Sequence, residues 1–372
     1  MALTKAKVSF IEGVDGSALT GAMPAVNGSA LTGIVGMTKT TSDPVINTNP
    51  STGLGTCWIN KTSGEMFICT DATANENVWT NVGGGSGDIE PLLFFQATIA
   101  GFAAGGHNGG NINNIDRFSF TSDANATDSG DMTVARQSAT GQSSSTHGYS
   151  STGNPLTNVI DKFQFTTGGN AADVGDTIAA KSDACGHSSE THGYVSGGNS
   201  ANGNVIEKFQ FANDTNGGSD VGDLTVSRGE LDGTQSETHG YSCGGGGGNV
   251  IDKFPFASNA NATDVGDMIF SGYNSPATAS KTHGYCSGGT PASDKIGKFS
   301  FASNGNATEV GTLSVGRQNG CGNQSSTHGY TCGGYTGAHS NVIDKFSYAT
   351  DGAASDVGNL TSAKYTPAGT QY

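Results

Sequence analysis

One short phrase recurs along the chain with a nearly constant period. Ile-Asp-Lys-Phe or a close variant ends at Phe118, Phe163, Phe209, Phe254, Phe299 and Phe346, at spacings of 45, 46, 45, 45 and 47 residues. A period of that size calls for an array of like units, each too small to bury an apolar face alone. A second phrase, Asp-Val-Gly-Asp or a variant, follows each copy, with its glycine at Gly130, Gly175, Gly222, Gly266, Gly311 and Gly358. A glycine pair precedes most copies, from Gly105–Gly106 to Gly333–Gly334, and the second unit has Thr152–Gly153 instead. Thr-His-Gly-Tyr occurs five times, at His147, His192, His239, His283 and His328, with Ala100 at the matching place in the first unit.

Each unit reads as four short strands. A polar strand follows the basic residue at Arg136, Lys181, Arg228, Arg317 or Lys364, and Thr-His-Gly-Tyr runs up to the glycine pair. The Val-Ile-Asp-Lys-Phe strand carries the β-branched and aromatic residues. A last strand, Val-Gly-Asp-Leu-Thr-Val, ends at the basic residue. Asn, Asp and Gly clusters supply turns between them. With 59 glycines and only 13% charged residues the chain has little helix-favouring material. A four-stranded unit of this length is the signature of a propeller blade. The first unit lacks its polar strand, and the C-terminal "LTSAKYTPAGTQY" matches it, so the end of the chain is expected to close the first blade. The expectation is an all-β chain with a six-bladed β-propeller over 92–372. The basic residue, polar strand, Gly-Tyr-x-x-Gly-Gly and Ile-Asp-Lys-Phe order resembles the kelch family, although Val-Gly-Asp stands where that family carries a fourth-strand Trp. The resemblance implies the architecture, not a function.

The segment before residue 92 has a different texture. "GSALTG" is duplicated within residues 1–40, which read as an extended or β anchor. Residues 41–82 read as a β-hairpin module around a Ser63–Gly64 turn, and 83–91 as a Gly-rich linker. The two "GSALTG" copies and "CWINKTSGEMFICTDATANENVWTNVG" resemble attachment regions of bacteriophage tail fibres and related virion proteins. That resemblance implies a virion structural protein, assembled in the bacterial host cytoplasm and attached to other virion proteins through its N-terminal region. It also implies a homo-oligomer, of which a trimer is one form.

A formal net charge of −15 disfavours nucleic acid. No run suits a signal peptide or membrane insertion, and a soluble chain is expected. Seven cysteines without a Cys-x-x-Cys pair suggest buried free thiols, with a Cys57–Cys69 disulfide as the lesser reading. The five repeated histidines are expected to be scaffold, satisfying backbone groups between blades, because one active site would occur once. No metal, cofactor or catalytic residue is expected. The acidic turns, such as that with Asp123, Asn125 and Thr127, lack the glycine and final acid of a calcium loop. The adjacent Asp and Lys of each Ile-Asp-Lys-Phe are expected to be solvated or paired across strands. Binding is expected where the units differ, in the loops after the glycine pairs. The candidate residues there are His107, Asn108, Asn154, Asn199, Asn202, Tyr335 and His339, with stacking and hydrogen-bonding groups for a host-surface glycan or protein receptor. The expected function is thus a tail fibre or adhesin, the alternatives being a capsid decoration protein or head fibre and, less favoured, a polysaccharide-depolymerising tailspike.

Overall fold

The computed structural model describes residues 37–82, 92–201, 203–214, 217–273 and 275–372. The duplicated "GSALTG" copies, the linker and Asn202 lie outside these. Among the described residues all regular structure is β, in seven four-stranded sheets. The chain divides into two compact units, Met1–Pro91 and Leu92–Tyr372.

In the first unit, Met37–Thr40 pairs in parallel with Cys57–Asn60, which continues antiparallel to Met66–Asp71 and Val78–Asn81. The strand at 37–40 therefore belongs to the same sheet as the hairpin module, and a boundary after residue 40 cuts through it. Trp58 packs edge-on to Trp79, with ring centroids 5.7 Å apart, over buried Phe67 and Cys69. Cys57 pairs with Ile68 rather than Cys69, so the two thiols fall on opposite faces and both are free.

The second unit holds six sheets, one per repeat. The second sheet shows the pattern: Thr140–Ser143, His147–Ser151, Thr157–Gln164 and Ala172–Lys181, in that spatial order. In the first sheet Ala368–Gln371 takes the first place, antiparallel to Ala100–Ala104. The first strand of each sheet contacts the first strand of the next, and that of the sixth, Cys321–Gln324, contacts Ala368–Gln371. In four sheets the fourth strand stops at or near the Val-Gly-Asp turn, as Ser219–Asp223 does. Only Ala172–Lys181 and Thr308–Arg317 run on to the basic residue.

Glycine sets how closely the strands approach. In the first strands, Gly141, Gly186, Gly233, Gly322 and Gly369 sit at one level, and a Cβ on Gly141 would overlap the carbonyl oxygen of Gly369. Ala277 takes this level in the fifth sheet. The glycine of Thr-His-Gly-Tyr has a different reason. Gly148 lies directly opposite Phe163, whose ring covers its Cα, and the same pairing recurs at Gly193–Phe209, Gly240–Phe254, Gly284–Phe299, Gly329–Phe346 and Gly101–Phe118. The two repeated phrases are thus halves of one cross-strand contact, an aromatic ring filling the space a glycine leaves.

Candidate functional site

The charged residues of Ile-Asp-Lys-Phe point opposite ways, as neighbours in a strand must, but the acid is not solvated. Asp116, Asp161, Glu207, Asp252 and Asp344 are all buried. Each pairs with the basic residue that closes the preceding repeat: Arg136–Asp161 at 3.0 Å, Lys181–Glu207 at 2.6 Å, Arg228–Asp252 at 2.9 Å, Arg317–Asp344 at 2.9 Å and Lys364–Asp116 at 3.2 Å. The acid also accepts from the Leu-Thr segment: Thr133 N donates to Asp161 Oδ2 at 3.1 Å and Thr133 Oγ1 to Oδ1 at 2.6 Å. Asp and Lys had suggested surface pairing because both are hydrophilic. The burial follows from the sheet's pleat, which turns one of any two neighbours inward.

The lysine points outward and pairs with the following sheet's acidic turn: Lys162–Asp214, Lys298–Asp351 and Lys345–Asp123, the last between the sixth sheet and the first. The turns that faintly resembled calcium loops therefore serve as ion-pair partners and Asx turns, as where Gly130 N donates to Asp128 Oδ1. Among the described residues no group of three or more His, Cys, Asp or Glu is placed to hold a metal ion.

The Thr-His-Gly-Tyr histidines close local turns. His147 Nδ1 lies 2.7 Å from Thr146 Oγ1, and His147 N donates to Ser144 Oγ at 3.0 Å. The same bonds recur at His192, His239, His283 and His328. Partial burial, followed by the nearby strand lysine, lowers the pKa of all five, so the neutral ring is favoured. The bond between repeats belongs to the tyrosine instead. Tyr149 Oη donates to Phe211 O at 3.2 Å, and Tyr194 Oη to Phe256 O at 3.4 Å.

A different histidine is fully buried. His187 Nδ1 lies 3.0 Å from Thr234 O, and its Nε2 lies 2.9 Å from Ser196 Oγ and 3.2 Å from Ser242 Oγ. Burial pushes its pKa down to about 4. The network binds the third sheet to the fourth. Beside it, a cavity of about 80 Å³ opens at the first-strand glycines, lined by Ser138, Asp183, Asp232, Asn319 and Thr366 among others. Burial pushes the Asp232 carboxyl up to about 8.

The loops after the glycine pairs carry the remaining candidates. Three of them meet. His107 and His339 lie with ring centroids 5.6 Å apart, and Tyr335 is 6.2 Å from His339. A fourth ring joins them that the loop comparison missed: Tyr365 lies 5.1 Å from His107, 5.1 Å from His339 and 6.1 Å from Tyr335. All four are partly exposed. Backbone pairing fixes the group, since His107 N donates to Tyr365 O at 3.0 Å, Tyr365 N to His107 O at 3.1 Å, and Tyr335 bridges to His339. Asn108 is exposed on the same loop, and Asn111 Nδ2 donates to Asn154 O at 2.8 Å, linking the loop of the second sheet to the edge of the patch. Asn199 stands apart in the third sheet, held by Asp183 Oδ2 at 3.1 Å.

This aromatic patch and the start of the unit lie at opposite ends of the strands. Ala100–Ala104 begins beside the segment 92–99 and ends at the loop that carries His107. At the starting end Phe95 is buried and its carbonyl accepts from Gln324 Nε2 at 3.0 Å, while Ser326 N donates to Ala97 O at 2.9 Å.

No protein-family model matches the chain, and no curated protein is significantly similar to it.

Proposed function

We propose that residues 92–372 form a closed six-bladed, kelch-like propeller, and that the protein is a bacteriophage virion adhesin whose propeller meets a receptor on the host surface. Closure is supported by the contacts between successive first strands, which return from the sixth sheet to the first. It is also supported by Lys364–Asp116 and Lys345–Asp123, which repeat across that junction the pairings made at the others.

The observation that carries the receptor reading is the patch of His107, Tyr335, His339 and Tyr365. Exposed aromatic rings with polar tips, fixed by backbone pairing, are the groups that anchor recognition surfaces. The patch lies on the end of the sheets away from residue 92, which suits a particle attachment through the preceding region. In the test, fluorescently labelled full-length chain is offered to a panel of bacterial strains. Adsorption to a subset of strains is expected, with loss on combining Tyr335→Ala and Tyr365→Ala. Equal adsorption of that variant and the parent would remove the reading.

A further inference from the structure

We infer that the patch of His107, Tyr335, His339 and Tyr365 takes an uncharged saccharide rather than an acidic one. The inference rests on the receptor reading above and names its ligand class.

Three observations support it. The first is ring chemistry. Two tyrosines and two histidines with neighbouring centroids 5.1–6.2 Å apart present flat faces and edges to one small area, the form that packs against the C–H face of a pyranose ring. The second is hydrogen-bonding polarity. Gly109 N donates to His107 Nδ1 at 3.2 Å, so Nδ1 is the acceptor and Nε2 is the ring nitrogen left to donate to a hydroxyl. Tyrosine hydroxyls and the exposed Asn108 amide add groups that both donate and accept, as sugar hydroxyls require.

The third is charge. The cations next to the patch in the chain are already committed. Lys364, the neighbour of Tyr365, is buried against Asp116, and Arg317, one residue before the Gln318 that bridges to Tyr335, is buried against Asp344. Gly106 and Gly334 lie over the stems of these same two side chains and seal them from the loop surface. The carboxylates of Asp183 and Glu230 lie on the same end of the sheets, near the axis, on a chain of net charge −15. Neither Lys364 nor Arg317 is free to pair with a carboxylated or phosphorylated sugar, which would also meet an adverse field.

The test pairs the strain panel with an array of neutral hexose and N-acetylhexosamine oligosaccharides and their carboxylated and phosphorylated counterparts. Neutral members are expected to bind at least about tenfold more tightly than acidic ones. Their binding should hold across a tenfold change in salt, because no ion pair is made. Tyr365→Ala should lose about tenfold or more, Tyr335→Phe should keep most of the binding, and Asn199→Ala all of it, with unchanged thermal melts showing that the variants fold. Tightest binding to acidic members would overturn the inference while leaving the receptor reading in place. So would adsorption to cells that survives periodate but not protease, which would indicate a protein receptor. Adsorption unaffected by loss of both tyrosines would overturn both.

Discussion

Arg317 Nη2 lies 2.9 Å from Asp344 Oδ2, with neither side chain more than 1% exposed. The two residues belong to successive sheets, so the pair spans a junction. Removing one partner strands a buried charge, and Asp344→Ala is expected to cost about 3–5 kcal/mol in denaturant unfolding. Arg317 Nε and Nη1 have no hydrogen-bond partner, so the pair is incompletely satisfied. Replacing both residues with apolar ones of similar volume, Arg317→Met with Asp344→Leu, is expected to cost much less than the single change. The junction between the fourth and fifth repeats does without the pair. Gly272 closes the fourth repeat at the basic position, its carbonyl accepting from Gly245 N as that of Lys364 accepts from Gly334 N, and Gly297 of the fifth repeat stands at the acidic position. Both charges are missing together, and the Ile269 side chain packs against Gly297.

The first-strand glycines should tolerate little. Gly141→Ala drives a Cβ into the Gly369 carbonyl, backbone against backbone, and should lower stability by about 1–3 kcal/mol or more. At the same level of the fifth sheet Ala277→Gly should cost only about 1 kcal/mol. Parallel thermal melts of the two variants measure the difference.

Two groups, the buried His187 and the half-buried Asp232, should shape the pH profile in opposite senses. His187 holds a pKa of about 4, below the ordinary 6.5. The unfolded chain binds that proton first, so its contribution is present above pH 6.5 and is lost as pH falls toward 4, by up to about 3 kcal/mol. Asp232 holds a pKa of about 8, above the ordinary 3.8. Here the folded chain binds the extra proton, so stability is lost as pH rises from 3.8 toward 8. The slopes oppose each other where the windows overlap. Asp232→Asn should raise the melting temperature at pH 8 and change it little near pH 4, leaving the acid slope of His187 exposed. A profile unchanged by that substitution would count against a neutral Asp232 carboxyl.

The repeated histidines should matter less than their number suggests. His192 bonds within its own turn and is partly exposed, so His192→Gln should cost under about 1 kcal/mol by denaturant titration. Phe209→Ala, which uncovers Gly193 in the same sheet, should cost about 3–5 kcal/mol.

The period, the strand count and the turns were legible because glycine and aromatic positions recur in register. The pairing of Ala368–Gln371 with Ala100–Ala104 was legible from the missing strand of the first repeat. The buried ion pairs were not, since neighbouring Asp and Lys look alike until the pleat assigns each a side. Their signal was present between the fourth and fifth repeats, where Gly272 and Gly297 depart together. The candidate patch was half legible. His107, Tyr335 and His339 stood out as loop residues, but Tyr365 lies in the connection after a basic residue, where the other repeats carry Gln137, Ser182, Gly229, Tyr273 and Gln318. Only the fold brings that connection beside the first loop.

The pairing of Ala368–Gln371 with Ala100–Ala104 also sets an order of events during synthesis. Three strands of the first sheet are made before the other five sheets, and the strand that covers Phe102 and Ala103 is made after them. Until then Ala100–Ala104 carries an unpaired edge, open to pairing with a neighbouring nascent chain. A chain stopped before Ala368 would thus be expected to be a sticky protein rather than a slightly shorter one.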